Sequence, residues 1–244
     1  AADAFRALAE GDTIAVQLRV LQSLDEDDQE AVAAAAAGAA APAVARLPDV
    51  VRDQLAMPAE AGVTFVDTVV SGGGYAALDR AYDRPPETTE QILHPARFAI
   101  RETVRDVPEL SVELDGYERI AGGSYGEWRL RLLLGDSIAP GLLTQTTAGW
   151  GGDAYELLAG GDDLAFVYIY GGDTEDDAIE VAQAFLALAR GPMGAGDGID
   201  SGGGVLWNEG GPYVFVDRIG DGLMFVAATS ASAGQQALGQ IRVP

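Results

Sequence analysis

Residues 164–170 read LAFVYIY, and after two glycines and an aspartate residues 174–188 read TEDDAIEVAQAFLAL. The first stretch is aromatic and β-branched, the composition of a buried strand. The second opens on Thr174 with Glu175, Asp176 and Asp177 in its first turn, where a helix favours negative charge. Its apolar positions, Ile179, Val181, Ala182, Phe185, Leu186 and Leu188, give that helix a core-facing side. A Gly/Asp loop follows at 191–204. Three short strands come next, Val205–Trp207, Tyr213–Val216 and Leu223–Ala228, and Gln235–Ile241 supplies a last helix. Residues 161–244 thus read as a small β-α-β-β(-β) unit.

Working back toward the N-terminus, the pattern is helical. Ala1–Leu24 carries Ala, Leu and Arg without Pro and reads as one helix. Asp25, Glu26, Asp27 and Asp28 start a second, whose alanine run Ala33–Ala37 is interrupted by Gly38 and ends near Pro42. Leu47–Val70 gives one or two more helices, with Pro48 near a start and Pro58 as a break. Gly72, Gly73 and Gly74 make a corner before the short helix Tyr75–Tyr82, which Pro85 and Pro86 stop. Thr88 or Thr89 caps a turn holding Gln91, Ile92, Leu93 and His94, ended by Pro95. Val107–Tyr117 is irregular or extended. Trp128–Leu134 and Ile138–Trp150 read as two further helices, the second closed by Gly149, Gly151 and Gly152. The expected fold class is α+β: a helical body over 1–160 followed by the unit at 161–244.

Charge narrows the function classes. Of 244 residues, 38 are acids and 15 are bases; every base is Arg, Lys is absent, and the formal net charge is -23. Such a chain repels polyanions, so neither nucleic acid nor an anionic membrane is expected as a partner. Excess carboxylate without Lys suits multimolar salt, where screening removes most of the mutual repulsion, and a halophilic archaeon is the expected source. With no Cys, disulfides, thiol nucleophiles and Cys metal sites are excluded, and a single His excludes a two-His metal site within this chain. No apolar run approaches a membrane span. The chain opens inside a helical pattern without an initiator Met, so it is expected to be a processed or truncated piece.

Several motifs carry possible chemistry. Gly122, Ser124 and Gly126 match G-x-S-x-G, but a nucleophile elbow needs an acid and then a His downstream, and His94 lies upstream, so a glycine-rich helix start is the expectation. Asp197 and Asp200 sit in a glycine loop that lacks the ligand spacing of a calcium loop; it reads as a solvated hairpin or a weak cation site. No phosphate-binding or dinucleotide fingerprint occurs. Surface acids could hold Na⁺, Mg²⁺ or Ca²⁺ loosely; no other cofactor is expected. On the first helix, Glu10 falls beside Ile14, Leu21 and Leu24, and Asp12 beside Phe5, Leu8 and Val16. Carboxylates among apolar residues need a partner, which could be an Arg, backbone amides or a metal.

Ala9-Glu10-Gly11-Asp12 resembles the A-x-x-E-G-D segment of a prokaryotic family of zinc-metallopeptidase-like proteins. Residues 88–95, TTEQILHP, resemble that family's S/T-T-E-Q-I-L-H-P motif. Residues 148–153, AGWGGD, with Tyr155, resemble its A-G-W-G-G-D-R-Y motif, Ala154 replacing the Arg. The resemblance spans nearly the whole chain, and the acidic composition suits the family's haloarchaeal secreted surface-protein branch. It implies a gluzincin-like helical body. In active members a His-Glu-x-x-His helix precedes the E-G-D helix, whose Glu completes the zinc site. Glu10 then stands as a vestigial metal ligand. Asp12, His94, Trp150 and Asp153 stand as cleft or structural motif residues: His94 lines a cleft or braces a turn, and Trp150 and Asp153 brace a helix corner. No catalytic residue is assigned, and zinc is implied only with the upstream helix. The function implied is a non-catalytic surface or secreted protein, extracellular or cell-surface associated. The alternative is the C-terminal fragment of a zinc metallopeptidase whose metal helix lies upstream.

Overall fold

The computed structural model describes residues 2–39, 44–201, 203–208 and 210–241. The chain is α+β and divides into two compact units, Ala1–Glu102 and Thr103–Pro244. The expected division at 160 therefore falls inside the second unit.

The first unit is helical. It comprises α1 (Ala2–Ser23), α2 (Glu26–Ala39), a single 3₁₀ turn at Val44–Arg46, α3 (Asp49–Asp83), α4 (Thr89–Leu93) and α5 (Pro95–Ile100). Helix α1 buries Ala4, Ala7, Leu8, Gly11 and Ala15, a stripe at helical spacing. It packs on α3, where the backbones meet at Gly11 and Gly62. A Cβ on Gly11 would stand 2.1 Å from the Gly62 carbonyl carbon, and one on Gly62 2.1 Å from the Ala7 carbonyl oxygen. Only glycine permits this approach.

Helix α3 runs through Pro58 without the expected break; Met57 and Pro58 are both buried. The turn comes instead at Gly73 and Gly74, where Gly74 adopts φ +66°. Before it, Gly62 and Asp67 meet Gly11 and Arg19; after it, Tyr75 and Tyr82 meet Arg19 and Asp12. One limb of α3 thus follows α1 and the other returns along it. Thr88 Oγ1 accepts the Gln91 amide at 3.1 Å and caps α4, and Pro95 both ends α4 and begins α5. The Asp25 carboxylate caps α2 through the Asp28 amide; its expected stop near Pro42 lies outside the described residues.

The second unit is a seven-stranded antiparallel sheet in the order β1-β2-β3-β7-β6-β5-β4. The strands are β1 (Glu118–Gly123), β2 (Trp150–Gly160), β3 (Asp163–Gly172), β4 (Ile199–Asp200), β5 (Gly204–Trp207), β6 (Tyr213–Ile219) and β7 (Gly222–Ala228). The helices are α6 (Gly126–Leu134), α7 (Pro140–Ala148), α8 (Glu175–Arg190) and α9 (Ala231–Leu238). Stretch 164–170 is β3. Thr174 and Asp177 form a capping box at the start of α8.

The helix expected over 138–150 stops at Ala148, and Trp150 begins β2. Because β2 pairs with β3 from Trp150↔Gly172 to Gly160↔Asp163, the sheet cannot be divided at 160. Alternating side chains build two cores. On one face Trp150, Tyr168, Tyr170, Phe225 and Trp207 pack with Leu130, Leu134, Val181 and Phe185 of α6 and α8. On the other, Val167, Tyr213 and Val226 pack with Ala233 and Ala237 of α9 and with Val112 and Leu114. Those last two belong to a strap, residues 104–117, that follows β2: the Arg105 amide donates to Gly151, the Val112 amide to Glu156, and Tyr117 covers Gly160. Among the described residues, no helix is long and apolar enough to cross a membrane.

Candidate functional site

The strongest polar constellation of the second unit is centred on Asp153, near the start of β2. Its carboxylate accepts five hydrogen bonds. Oδ1 takes Ser124 Oγ and the Tyr125 amide, each at 2.8 Å. Oδ2 takes the Gly126 amide and Trp150 Nε1 at 2.8 Å and the Tyr168 hydroxyl at 3.1 Å. Two of these donors are amides at the N-terminus of α6, where a carboxylate is electrostatically favoured. Burial pushes the Asp153 carboxyl above the usual carboxylate range, and the donors from Trp150, Ser124, Gly126 and Tyr125 pull against it.

The G-x-S-x-G segment does lie between a strand and a helix, β1 and α6. Its serine, however, donates a hydrogen bond to the Asp153 carboxylate, which accepts four others, and not to a histidine. The segment is the start of α6, and Asp153 pins that start to the sheet.

Two other buried acids escaped sequence reasoning. Glu127 on α6 pairs with Arg131 at 2.5 Å, and Arg131 also donates to Thr147 of α7. Glu156 on β2 pairs with Arg119 at 3.0 Å and accepts the Val112 amide at 2.8 Å, which ties the strap to the sheet. The one available signal was an acid at 156 flanked by Tyr155, Leu157 and Leu158, a stretch not recognised as a strand. Beside Asp153 opens a cleft of about 380 Å³, between strap residues Val107, Glu109 and Leu110, sheet residues Arg119 and Tyr155, and Ser124 in the β1–α6 turn.

In the first unit, Glu10 and Asp12 are half-exposed rather than enclosed by apolar groups. Arg6 holds Glu10 at 2.6 Å across one helical turn, and the Glu10 side chain is 38% exposed. The Tyr82 hydroxyl donates to Asp12 at 3.0 Å. Burial, reinforced by Asp12, pushes the Tyr82 hydroxyl up to about 12. The apolar neighbours inferred on α1 do not enclose these acids: beside Asp12, Phe5 and Val16 are exposed, and beside Glu10, Ile14, Leu21 and Leu24 are only half-buried.

In the TTEQILHP segment Thr88, Thr89, Glu90, Gln91 and Ile92 are buried. Glu90 and Glu102 each meet Arg97 at 2.9 Å, and Gln91 bonds the Glu87 amide and the Glu102 carbonyl, so the segment knots residues 87–102 together. His94 is half-buried at the junction of α4 and α5. Among the described residues no three His, Asp or Glu side chains converge on a metal position. With Glu10 held by Arg6 and no imidazole grouped with it, these residues do not fit a zinc centre. Asp197 and Asp200 are both exposed, the first in the loop before β4 and the second in β4 itself.

Residues 115–238, just over half of the chain, match a family described as a domain of unknown function, DUF8575. No curated protein and no solved structure matches the chain. The matched span starts just before β1 and ends on the last residue of α9, so it takes in the whole sheet together with Arg119, Ser124, Asp153 and Glu156. The chain belongs to the DUF8575 family.

Proposed function

We propose that this chain is a non-catalytic, halophilic surface or secreted protein whose helical unit descends from a gluzincin-like metallopeptidase scaffold. The observation that carries the non-catalytic reading is the saturation of Asp153. This buried carboxylate of the motif set is fully occupied in holding α6 on the sheet. The zinc-ligand candidate, Glu10, is likewise engaged, by Arg6. Halophily is supported by the net charge of -23 and the absence of Lys; the surface location is supported by the resemblance to the haloarchaeal branch.

The catalytic half is tested by adding zinc to the purified chain in multimolar KCl and assaying casein or a quenched peptide. No chelator-sensitive turnover is expected. Stoichiometric zinc with turnover that Glu10→Ala abolishes would replace this reading with a peptidase. The halophilic half is tested by circular dichroism as salt is lowered to about 0.1 M, where the Debye length grows to roughly 10 Å and repulsion among the acids returns. Loss of helix is expected; a melting temperature indifferent to salt would remove the halophilic reading.

A further inference from the structure

Strand β1 contains one residue more than its pairing with β2 requires. Arg119 faces Leu158, Ala121 faces Leu157 and Gly122 faces Glu156, while Ile120 faces nothing. Because 156 and 158 share a face of β2, this bulge brings Arg119 and Gly122 to the same face, which regular alternation would not do. The Arg119 guanidinium lies where a Gly122 side chain would stand: an added Cβ would be 2.2 Å from Nη2. Its Nε meets the buried Glu156 carboxylate at 3.0 Å. The cation is thereby oriented from behind by a fixed acid. Among the described residues that is its only carboxylate partner, and the side chain is 54% exposed.

Arg119 lines the cleft beside the strap. Asp153 also lines it, but both its oxygens are occupied. The Ser124 proton is directed to Asp153, so the Ser124 oxygen offers lone pairs to the cleft. Glu109 adds a carboxylate from the strap, and Val107, Leu110 and Ala154 add apolar wall. The cleft thus presents a guanidinium, two acceptors and a small apolar surface, within a volume at the lower end of ligand sites.

We propose that this cleft binds a free α-amino acid. The ligand's carboxylate meets the terminal nitrogens of Arg119, its ammonium meets Ser124 Oγ and Glu109, and its side chain lies on Val107 and Leu110. The assignment rests on the cleft alone and is independent of the surface location and the peptidase ancestry proposed above.

Isothermal titration of the full chain in multimolar KCl with L-alanine, L-serine and L-leucine tests it. Saturable binding of at least one is expected. Its amide, which lacks the carboxylate, and its des-amino acid, which lacks the ammonium, should each bind at least about tenfold more weakly, as loss of a charge-assisted contact implies. Arg119→Gln should show the loss seen with the amide, and Glu109→Gln the loss seen with the des-amino acid. Since Arg119→Gln leaves Glu156 unpaired, tryptophan fluorescence checks its fold; if it unfolds, Glu109→Gln, on an exposed residue, and the analogue series decide. Failure of all three amino acids to saturate, or equal binding by wild type and both variants, or by wild type and Glu109→Gln where Arg119→Gln unfolds, would overturn the assignment.

Discussion

The two units build their cores with different emphases, although the helical unit too buries large side chains, Met57 and Phe65, and the polar Glu90 and Gln91. The helical unit brings backbones together where side chains are absent, at Gly11 and Gly62, and leaves Phe5, Val16 and Val20 of α1 exposed. The sheet unit fills both faces with large side chains, among them Trp150, Tyr168, Tyr170, Tyr213, Phe185 and Phe225, all almost fully buried. It also encloses the acids Glu127, Asp153 and Glu156. A contact made by missing atoms tolerates no added atom. A core built on large rings has ample dispersion and hydrophobic gain, but depends on satisfying every polar group it encloses. The first unit should be most sensitive to volume and the second to hydrogen bonding.

The sharpest test of that contrast is Asp153→Ala. It strands two amides, an indole N–H and two hydroxyls, and should cost on the order of 3–5 kcal/mol. All three tryptophans, Trp128, Trp150 and Trp207, lie in the sheet unit, so their fluorescence in a denaturant titration reads that unit. Asp162→Ala, at the exposed β2–β3 turn, should leave the midpoint unchanged. Equal effects from the two substitutions would mean that the carboxylate is not what holds α6.

Next in size is Gly62→Ala. The added methyl must displace the Ala7 carbonyl, and overpacking of this kind should cost roughly 2 kcal/mol. The loss should appear as earlier melting of helical circular dichroism, with the tryptophan signal the less affected of the two. A neutral result would show that α1 and α3 can slide apart freely, and the contrast would weaken.

The smallest expected effect is alkaline. Because the Tyr82 hydroxyl is raised from 10.0 to about 12 in the folded unit, the neutral phenol is favoured there. Its contribution is complete below pH 10 and is lost as pH climbs through about 12. Helix stability followed over that window should fall, and Tyr82→Phe should flatten the fall. An identical slope in the variant would assign the pH dependence to other tyrosines.

How much of this was readable from the chain differs along its length. LAFVYIY, the helix after Thr174 and the strands beginning near 205, 213 and 223 were legible because each is a local pattern of side-chain type bounded by glycine or acid. The corner at Gly72–Gly74 and the Thr88 cap were legible for the same reason. Strand β2 was not. Its opening, WGGD, carries two glycines that read as a helix stop, yet Gly152 is there so that the strap can cross: a Cβ would lie 2.6 Å from the Arg105 carbonyl oxygen. A glycine demanded by a segment some fifty residues upstream looks, in the sequence, like one demanded by its neighbours. Pro58 misled in the opposite sense, since α3 accommodates it. At the Asp153 cluster the sequence singled out Trp150 and Asp153, but the donors from Ser124, Tyr125, Gly126 and Tyr168 are brought in by the pairing of β2 with β1 and β3, which no local pattern encodes.

The bulge at Ile120 bears on how this sheet would avoid self-association in the multimolar salt proposed above. Where salt is multimolar, like charges hardly repel beyond about 3 Å, so a net charge of -23 offers little protection against two copies zipping together along a bare strand. Main-chain hydrogen bonds are far less affected by such screening. Colloidal stability must then come from shape, and the two borders of this sheet are shaped accordingly. One is interrupted mid-strand by an unpaired residue, and the other is only two residues long, at Ile199–Asp200. If the protein works in multimolar salt, as proposed above, irregular edges would guard this sheet against edge-to-edge pairing as much as its carboxylates do.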